Sequence, residues 1–395
     1  MKPTSQGSNE PASAAPPSRI RRERVRDASL YPIMDKLDAG ERLSFEDGVA
    51  LFRSRDLHTL GLLANRVREA KNGDAAYFNV NRHINHTNFC ITGCTFCAFA
   101  RKPGQEGGYR LALEEIVRKA TPEPGQRWEE IHIVGGLDPK FSFHDCLDML
   151  RAVKAANPSV HLKTLTLVEV DYYAKREGKE PAEILAAMRD AGMGSLPGGG
   201  AEILGEELRK KICPHKISGE RWLDLARTAH QMGIRTNCTM LYGHVETVED
   251  RVDHILRLRA LQDETGGFMC FIPLQFNKAN TPYAHLPDVT GDDNLRTLAV
   301  SRLLFDNIGH IKVYWVMVGL KIAQAALWYG ADDVDGTVVE ERITHDAGAV
   351  TPVGVGLETL LHLIRRAGRV PVERDSVYNA RQVFTSPRDP RQIEP

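Results

Sequence analysis

Phe89-Cys90-Ile91-Thr92-Gly93-Cys94-Thr95-Phe96-Cys97 spaces three thiols as C-x3-C-x2-C. The stretch just before it, 77–84, reads as a β-strand. Thiolates are soft ligands, and three at this spacing wrap one side of a metal or of an iron–sulfur cluster. A structural zinc site instead takes four ligands, usually as two short pairs. Cys146, Cys213, Cys238 and Cys270 are scattered and supply no second pair. They read as small buried hydrophobes. Three thiolates on a four-iron cube leave one iron open, as catalytic metals keep a vacant position. The predicted metal ligands are therefore Cys90, Cys94 and Cys97, with zinc as the alternative.

Working outward, the strand over 77–84 is the first of eight. The others are expected over 130–134, 161–167, 194–196, 235–241, 267–272, 311–316 and 331–334. Helical periodicity fills the gaps over 113–120, 143–156, 181–191, 218–232, 248–264, 293–307 and 320–329. Alternating strands and helices imply a parallel sheet, and eight units imply an α/β fold of the (β/α)8 TIM-type barrel. Its active site belongs at the C-terminal ends of the strands, where the cysteine loop falls. Four regions are expected. Residues 1–29 form a disordered tail, rich in Pro, Ser and Ala and then basic from Arg19 to Arg26. Residues 30–76 form an N-terminal helical extension, in which Ser44-Phe45-Glu46-Asp47 fits a capping box. The barrel spans 77–378, and 379–395 is a C-terminal tail.

Composition narrows the function. The 395 residues carry 51 basic and 52 acidic side chains, a formal net charge of −1. Such balance provides no basic field for nucleic acid. No apolar run reaches transmembrane length, and the N-terminus carries no apolar secretory core. Seven cysteines, an odd number, make a disulfide framework improbable. The expected location is a reducing cytoplasm.

The cysteine motif, with Phe96 directly before its third thiol, resembles that of the radical S-adenosylmethionine (SAM) superfamily. The resemblance implies a [4Fe–4S] cluster that binds SAM at its open iron and releases a 5′-deoxyadenosyl radical. It also implies an electron donor such as flavodoxin or ferredoxin. Phe96 takes the position beside the SAM adenine. Gly135-Gly136, in Val134-Gly135-Gly136-Leu137, resembles the segment whose carbonyls accept the SAM amino group. Leu137 departs from the usual Glu there, so a side-chain role is lost. Glu169 corresponds to a ribose ligand, and Tyr242, in Met240-Leu241-Tyr242-Gly243-His244, to the segment along the adenine.

Further motifs narrow the resemblance. They are Asn81-Arg82-His83-Ile84-Asn85, Pro197–Glu202, Asp263–Phe268, His310–Met317 and Asp332–Glu341. Together, over about 42–378, they are similar to the aminofutalosine synthase family of menaquinone biosynthesis. That family adds the radical to 3-[(1-carboxyvinyl)oxy]benzoate, with aryl migration and decarboxylation. The products are 6-amino-6-deoxyfutalosine and methionine. Sister enzymes, dehypoxanthine futalosine cyclase or the deazaflavin-core synthase, are the alternatives within the superfamily. A non-catalytic iron–sulfur or zinc protein is the alternative outside it. The small-molecule substrate carries two carboxylates, which need cations or amide donors. Arg82, His83, Gln275 and Trp315 are the candidate substrate residues, and Asp335 and His244 the candidate acid–base groups. His345 and Arg374 receive no role.

Overall fold

The computed structural model describes residues 20–385. Eleven strands occur in this span: β1 (Ala75–Asn79), β2 (Asn81–Ile84), β3 (Glu130–Ile133), β4 (His161–Thr164), β5 (Met193–Ser195), β6 (Thr236–Tyr242), β7 (Phe268–Gln275), β8 (His310–Ile311), β9 (Asp333–Gly336), β10 (Val370–Arg374) and β11 (Ala380–Val383). Val80 alone separates β1 from β2. Parallel ladders run β2-β3-β4-β5 and β6-β7-β8, and β9 pairs with β1. Single parallel bridges, Leu196–Thr236 and Lys312–Asp333, join β5 to β6 and β8 to β9. Eight strand positions thus follow one another in chain order around a ring, as in a TIM-type barrel. At those two joints the ladder shrinks to one bridge, so backbone pairing is not continuous around the ring.

Helices separate the strands and cover the ring. The helices Leu113–Ala120 and Phe143–Ala156 have the bounds that periodicity indicates. Their starts are set chemically. Ser142, Thr166 and Thr247 each form a reciprocal capping box with the acidic residue three positions on. The Ser44–Asp47 box expected from sequence is also formed. No helix among the described residues is long and apolar enough to cross a membrane.

The three helices Tyr31–Ala39, Phe45–Arg53 and Leu57–Asn72 precede the barrel, and the second and third pack on its outer helices. A Cβ on Gly61 would stand 2.6 Å from Tyr329, so only glycine permits that approach.

The structure revises the boundaries. Residues 1–19 of the expected tail lie outside the described span, but 20–29 are tied down. Val25 is buried, and the Arg26 N–H donates to Asp56 at 2.7 Å. At the other end, β11 falls in the expected C-terminal tail yet pairs antiparallel with β10. The hairpin β10–β11 joins the edge of β1 that β3 leaves free at the strands' N-terminal end. The strand expected over 311–316 stops at Ile311, because Trp315–Val318 coils into a helical turn. The helices Leu167–Glu177, Glu206–Ile212 and Leu357–Arg366 were not legible as separate elements.

Candidate active site

A cavity of about 330 Å³ opens at the C-terminal ends of the strands. Cys90, Cys94 and Cys97 all line it, and none is bonded to another cysteine. Their loop is pinned from three sides. Cys90 N–H donates to the Arg101 carbonyl at 3.0 Å, Ile91 to Leu137 at 3.1 Å, and Thr95 to Ile212 at 2.8 Å. The Thr92 hydroxyl lies 3.0 Å from the Cys90 sulfur and 3.5 Å from that of Cys94. Burial pushes the Cys97 thiol up to about 11. Metal coordination would remove that proton outright. A lone zinc ion requires ligands converged at about 2 Å. Among the described residues no three His, Cys, Asp or Glu side chains converge that way. Three soft thiols on one cavity wall, without a fourth protein ligand, fit a four-iron cluster with one open iron.

Gly135 and Gly136 line the same cavity. A Cβ on Gly136 would meet the Phe89 carbonyl oxygen at 2.1 Å, and one on Gly135 would meet His86 at 2.6 Å. These glycines thus let the Gly-Gly segment press against the cysteine loop. Phe96 lines the cavity with the Lys216 ammonium 5.4 Å from its ring centre. Glu169 lines it too, from the first turn of the helix Leu167–Glu177. Burial raises its carboxyl to about 7, against the pull of the Thr166 N–H donating at 2.6 Å.

Below this rim the strands turn polar side chains inward. His83, Glu130, His132, Lys163, Asn237, Thr239, Gln275, Lys312, Tyr314 and Asp335 all line the cavity. Lys163 pairs with Glu130 at 2.6 Å, and Lys312 with Asp335 at 2.8 Å. Burial opposes ionisation of Asp335, but Lys312 outweighs it and holds the carboxyl below its ordinary range. Asp335 sits at φ +68°, a strained setting for a non-glycine residue.

Four sequence-predicted residues stand elsewhere. On β2 the strand period sends His83 inward and Arg82 outward, where it donates to Glu340 at 2.6 Å. On β6, Asn237, Thr239 and Leu241 face the cavity, so Tyr242 points outward and its hydroxyl donates to Asn294 at 2.7 Å. His244 is held by the Leu241 carbonyl at 3.1 Å, with Glu246 3.2 Å away. Trp315 is fully buried in the wall and donates to the Gly336 carbonyl at 2.8 Å. The cavity instead receives its neighbours Tyr314 and Met317.

Sequence reasoning missed Glu130, His132, Lys163 and Lys312. The signal was present in Glu130-Ile131-His132-Ile133, where polar residues alternate with apolar ones. In a barrel wrapped by helices the apolar set faces out, so the polar set must face the lumen. His345 and Arg374 also acquire places. His345 bonds the Glu341 and Thr351 carbonyls, and Arg374 pairs with buried Asp333 at 2.6 Å.

Comparison with known proteins agrees with this geometry. Residues 84–258 match the Radical SAM superfamily, and 265–386 match the CofH/MqnC C-terminal region. The chain is 47% identical over 366 residues to the aminodeoxyfutalosine synthase of Thermus thermophilus, covering 91% of this chain and 98% of that one. It is 39% identical over 317 residues to a 5-amino-6-(D-ribitylamino)uracil–L-tyrosine 4-hydroxyphenyl transferase of Methanopyrus kandleri, covering 79% of this chain and 86% of that one. The crystal structure of methylornithine synthase superposes with a TM-score of 0.68 at 18% identity, covering 85% of this chain and 96% of that one. That likeness supports the barrel alone. The cysteine loop at the mouth of a TIM-type barrel, and near-full-length identity to an enzyme of this kind, make the chain a member of the radical SAM superfamily.

Proposed function

We propose that this chain is an aminofutalosine synthase, joining the 5′-deoxyadenosyl group of SAM to 3-[(1-carboxyvinyl)oxy]benzoate. Aryl migration and loss of one carboxylate then give 6-amino-6-deoxyfutalosine and methionine. One observation carries the reading: the three cluster thiols, Glu169 and a charged lumen open onto a single cavity. SAM at the rim and a polar second substrate beneath it would share one cavity. The 47% identity to the Thermus thermophilus synthase supports that choice of substrate over the sister reactions.

The roles are those the motif resemblance implies, and the shared cavity supports them. Cys90, Cys94 and Cys97 would hold the [4Fe–4S] cluster, which would supply the electron that cleaves SAM. The Gly135 and Gly136 carbonyls accept hydrogen bonds from the SAM amino group. Phe96 packs on the adenine, and Glu169 accepts from the ribose hydroxyls. Gln275, held by Asn294 at 2.8 Å, offers its amide to the second substrate. Asp335 and Lys312 form a neutral pair in the lumen wall. The protein's work is to orient two ligands and exclude water from a reactive species. Flavodoxin or ferredoxin is the proposed reductant, and the cytoplasm the proposed location.

The test is an anaerobic assay of the reconstituted protein with dithionite, SAM and the enolpyruvyl benzoate, read by mass spectrometry. A product with the mass of aminofutalosine is expected, and Cys94→Ala should abolish it. Free 5′-deoxyadenosine with no adduct would sink the substrate assignment. An adduct formed instead from tyrosine and 5-amino-6-(D-ribitylamino)uracil would move the chain to the hydroxyphenyl transferases.

A further inference from the structure

A substrate with two carboxylates entering this cavity meets a charge problem. Among the described residues the cavity wall holds three cations, Lys163, Lys216 and Lys312. Each already faces a carboxylate: Glu130 at 2.6 Å, Glu202 at 2.5 Å and Asp335 at 2.8 Å. Arg374, deeper down, is paired with Asp333. No cation of the wall is left to receive an incoming anion, and burying an unpaired charge is costly.

Two protonatable side chains in the wall are uncommitted. His83 on β2 and His132 on β3 are register partners. Their rings lie 4.5 Å apart, edge to face. Both Nε2 atoms are buried and make no hydrogen bond. Buried polar atoms normally have partners, so an orphaned pair at a cavity calls for a missing one. Several groups face this pair. They are Asp335 from β9, Glu130 at the start of β3, Lys312 beyond β8, Lys163 from β4, Glu341, and the Tyr314 ring 6.4 Å from that of His83. Burial keeps both imidazoles below their ordinary value, so each is neutral while the cavity is empty of anions. Two imidazolium rings this close would repel, which limits the pair to one proton.

We propose that His83 and His132 form a proton-accepting carboxylate subsite: the pair takes up one proton from solution as a substrate carboxylate binds beside it. The imidazolium then meets the carboxylate as a charge-assisted donor, and no free cation is needed. The inference rests on the dicarboxylate substrate proposed above. It adds that binding is coupled to protonation.

The experiment is anaerobic calorimetry of the cluster-loaded full chain with 3-[(1-carboxyvinyl)oxy]benzoate, in phosphate and in Tris at one pH. The binding enthalpy should change with the ionisation enthalpy of the buffer, with a slope of about one proton taken up. Affinity should fall by up to about tenfold per pH unit on the alkaline side. In the double variant His83→Asn/His132→Asn, with unchanged iron content, the slope should drop to near zero. Binding with zero slope in the unaltered protein overturns the subsite and leaves the enzymatic reading standing. A slope retained by the double variant also overturns it. Failure of the benzoate to bind at all overturns both.

Discussion

Glu169 answers to two demands. Its carboxylate accepts from the Thr166 N–H to start the helix Leu167–Glu177, and it faces the cavity as the proposed ribose ligand. Burial raises it from an ordinary 4.5 to about 7. A carboxyl raised in the folded state binds its proton more tightly there than when unfolded. Stability from this group is therefore greatest below about 4.5 and declines as pH rises toward 7. Glu169→Gln keeps a capping amide and removes that cost. At pH 8 the variant should be more stable than the parent, by on the order of 1–3 kcal/mol. Thermal unfolding at pH 5 and pH 8 checks this, since the gain should nearly vanish at pH 5. SAM binding should weaken in the same variant. Equal stability at both pH values would mean that Glu169 stays ionised without penalty.

The loop and strand elements explain which site residues were readable. The cysteine loop announces itself by spacing, and Ser44–Asp47 by its capping box. Thr166–Glu169 matches the same signature, and reading it would have found the unexpected helix there. Strand faces were harder. A period of two says that Arg82 and His83 oppose each other but not which one faces inward. The lumen side is known once β2 is seated between β3 and the Val339 backbone that follows β9. Close packing makes its own prediction. Gly136→Ala would drive a methyl to within 2.1 Å of the Phe89 carbonyl oxygen and 3.0 Å of the Cys90 Cβ. Overpacking of that kind costs about 1–3 kcal/mol and should displace the Cys90 loop. Bound iron per chain should fall while far-ultraviolet circular dichroism is retained. Full iron loading would count against the packing role. Ser44→Ala, far from the site, should cost only about 1 kcal/mol in denaturant unfolding and leave iron content unchanged.

Across the whole molecule the lumen carries charge where many barrels carry branched apolar residues. That is tolerable because the ions come in pairs. Arg374 and Asp333 are both almost fully buried, 2.6 Å apart, and tie the C-terminal hairpin to the last strand of the ring. Removing one partner leaves the other buried and unpaired. Arg374→Met should therefore destabilise the protein by about 3–5 kcal/mol, measured by denaturant unfolding. The double change Arg374→Met/Asp333→Leu should recover part of the loss. If the single change proves harmless, this pair does not anchor the hairpin to the ring.

The sequence alone determined the barrel class, because alternating strand and helix periods are local properties of the chain. It also singled out the proposed cluster ligands, because nine consecutive residues carry all three thiols. Tertiary structure decided which polar residues meet in the lumen. Glu130, Lys163, Lys312 and Asp335 come from four strand positions distant in sequence, and Arg374 from a segment that reads as the end of the match. It also decided that Tyr242, His244 and Trp315 serve the wall rather than the cavity. A side chain's direction depends on how its strand is rolled within the ring, and no single segment carries that information.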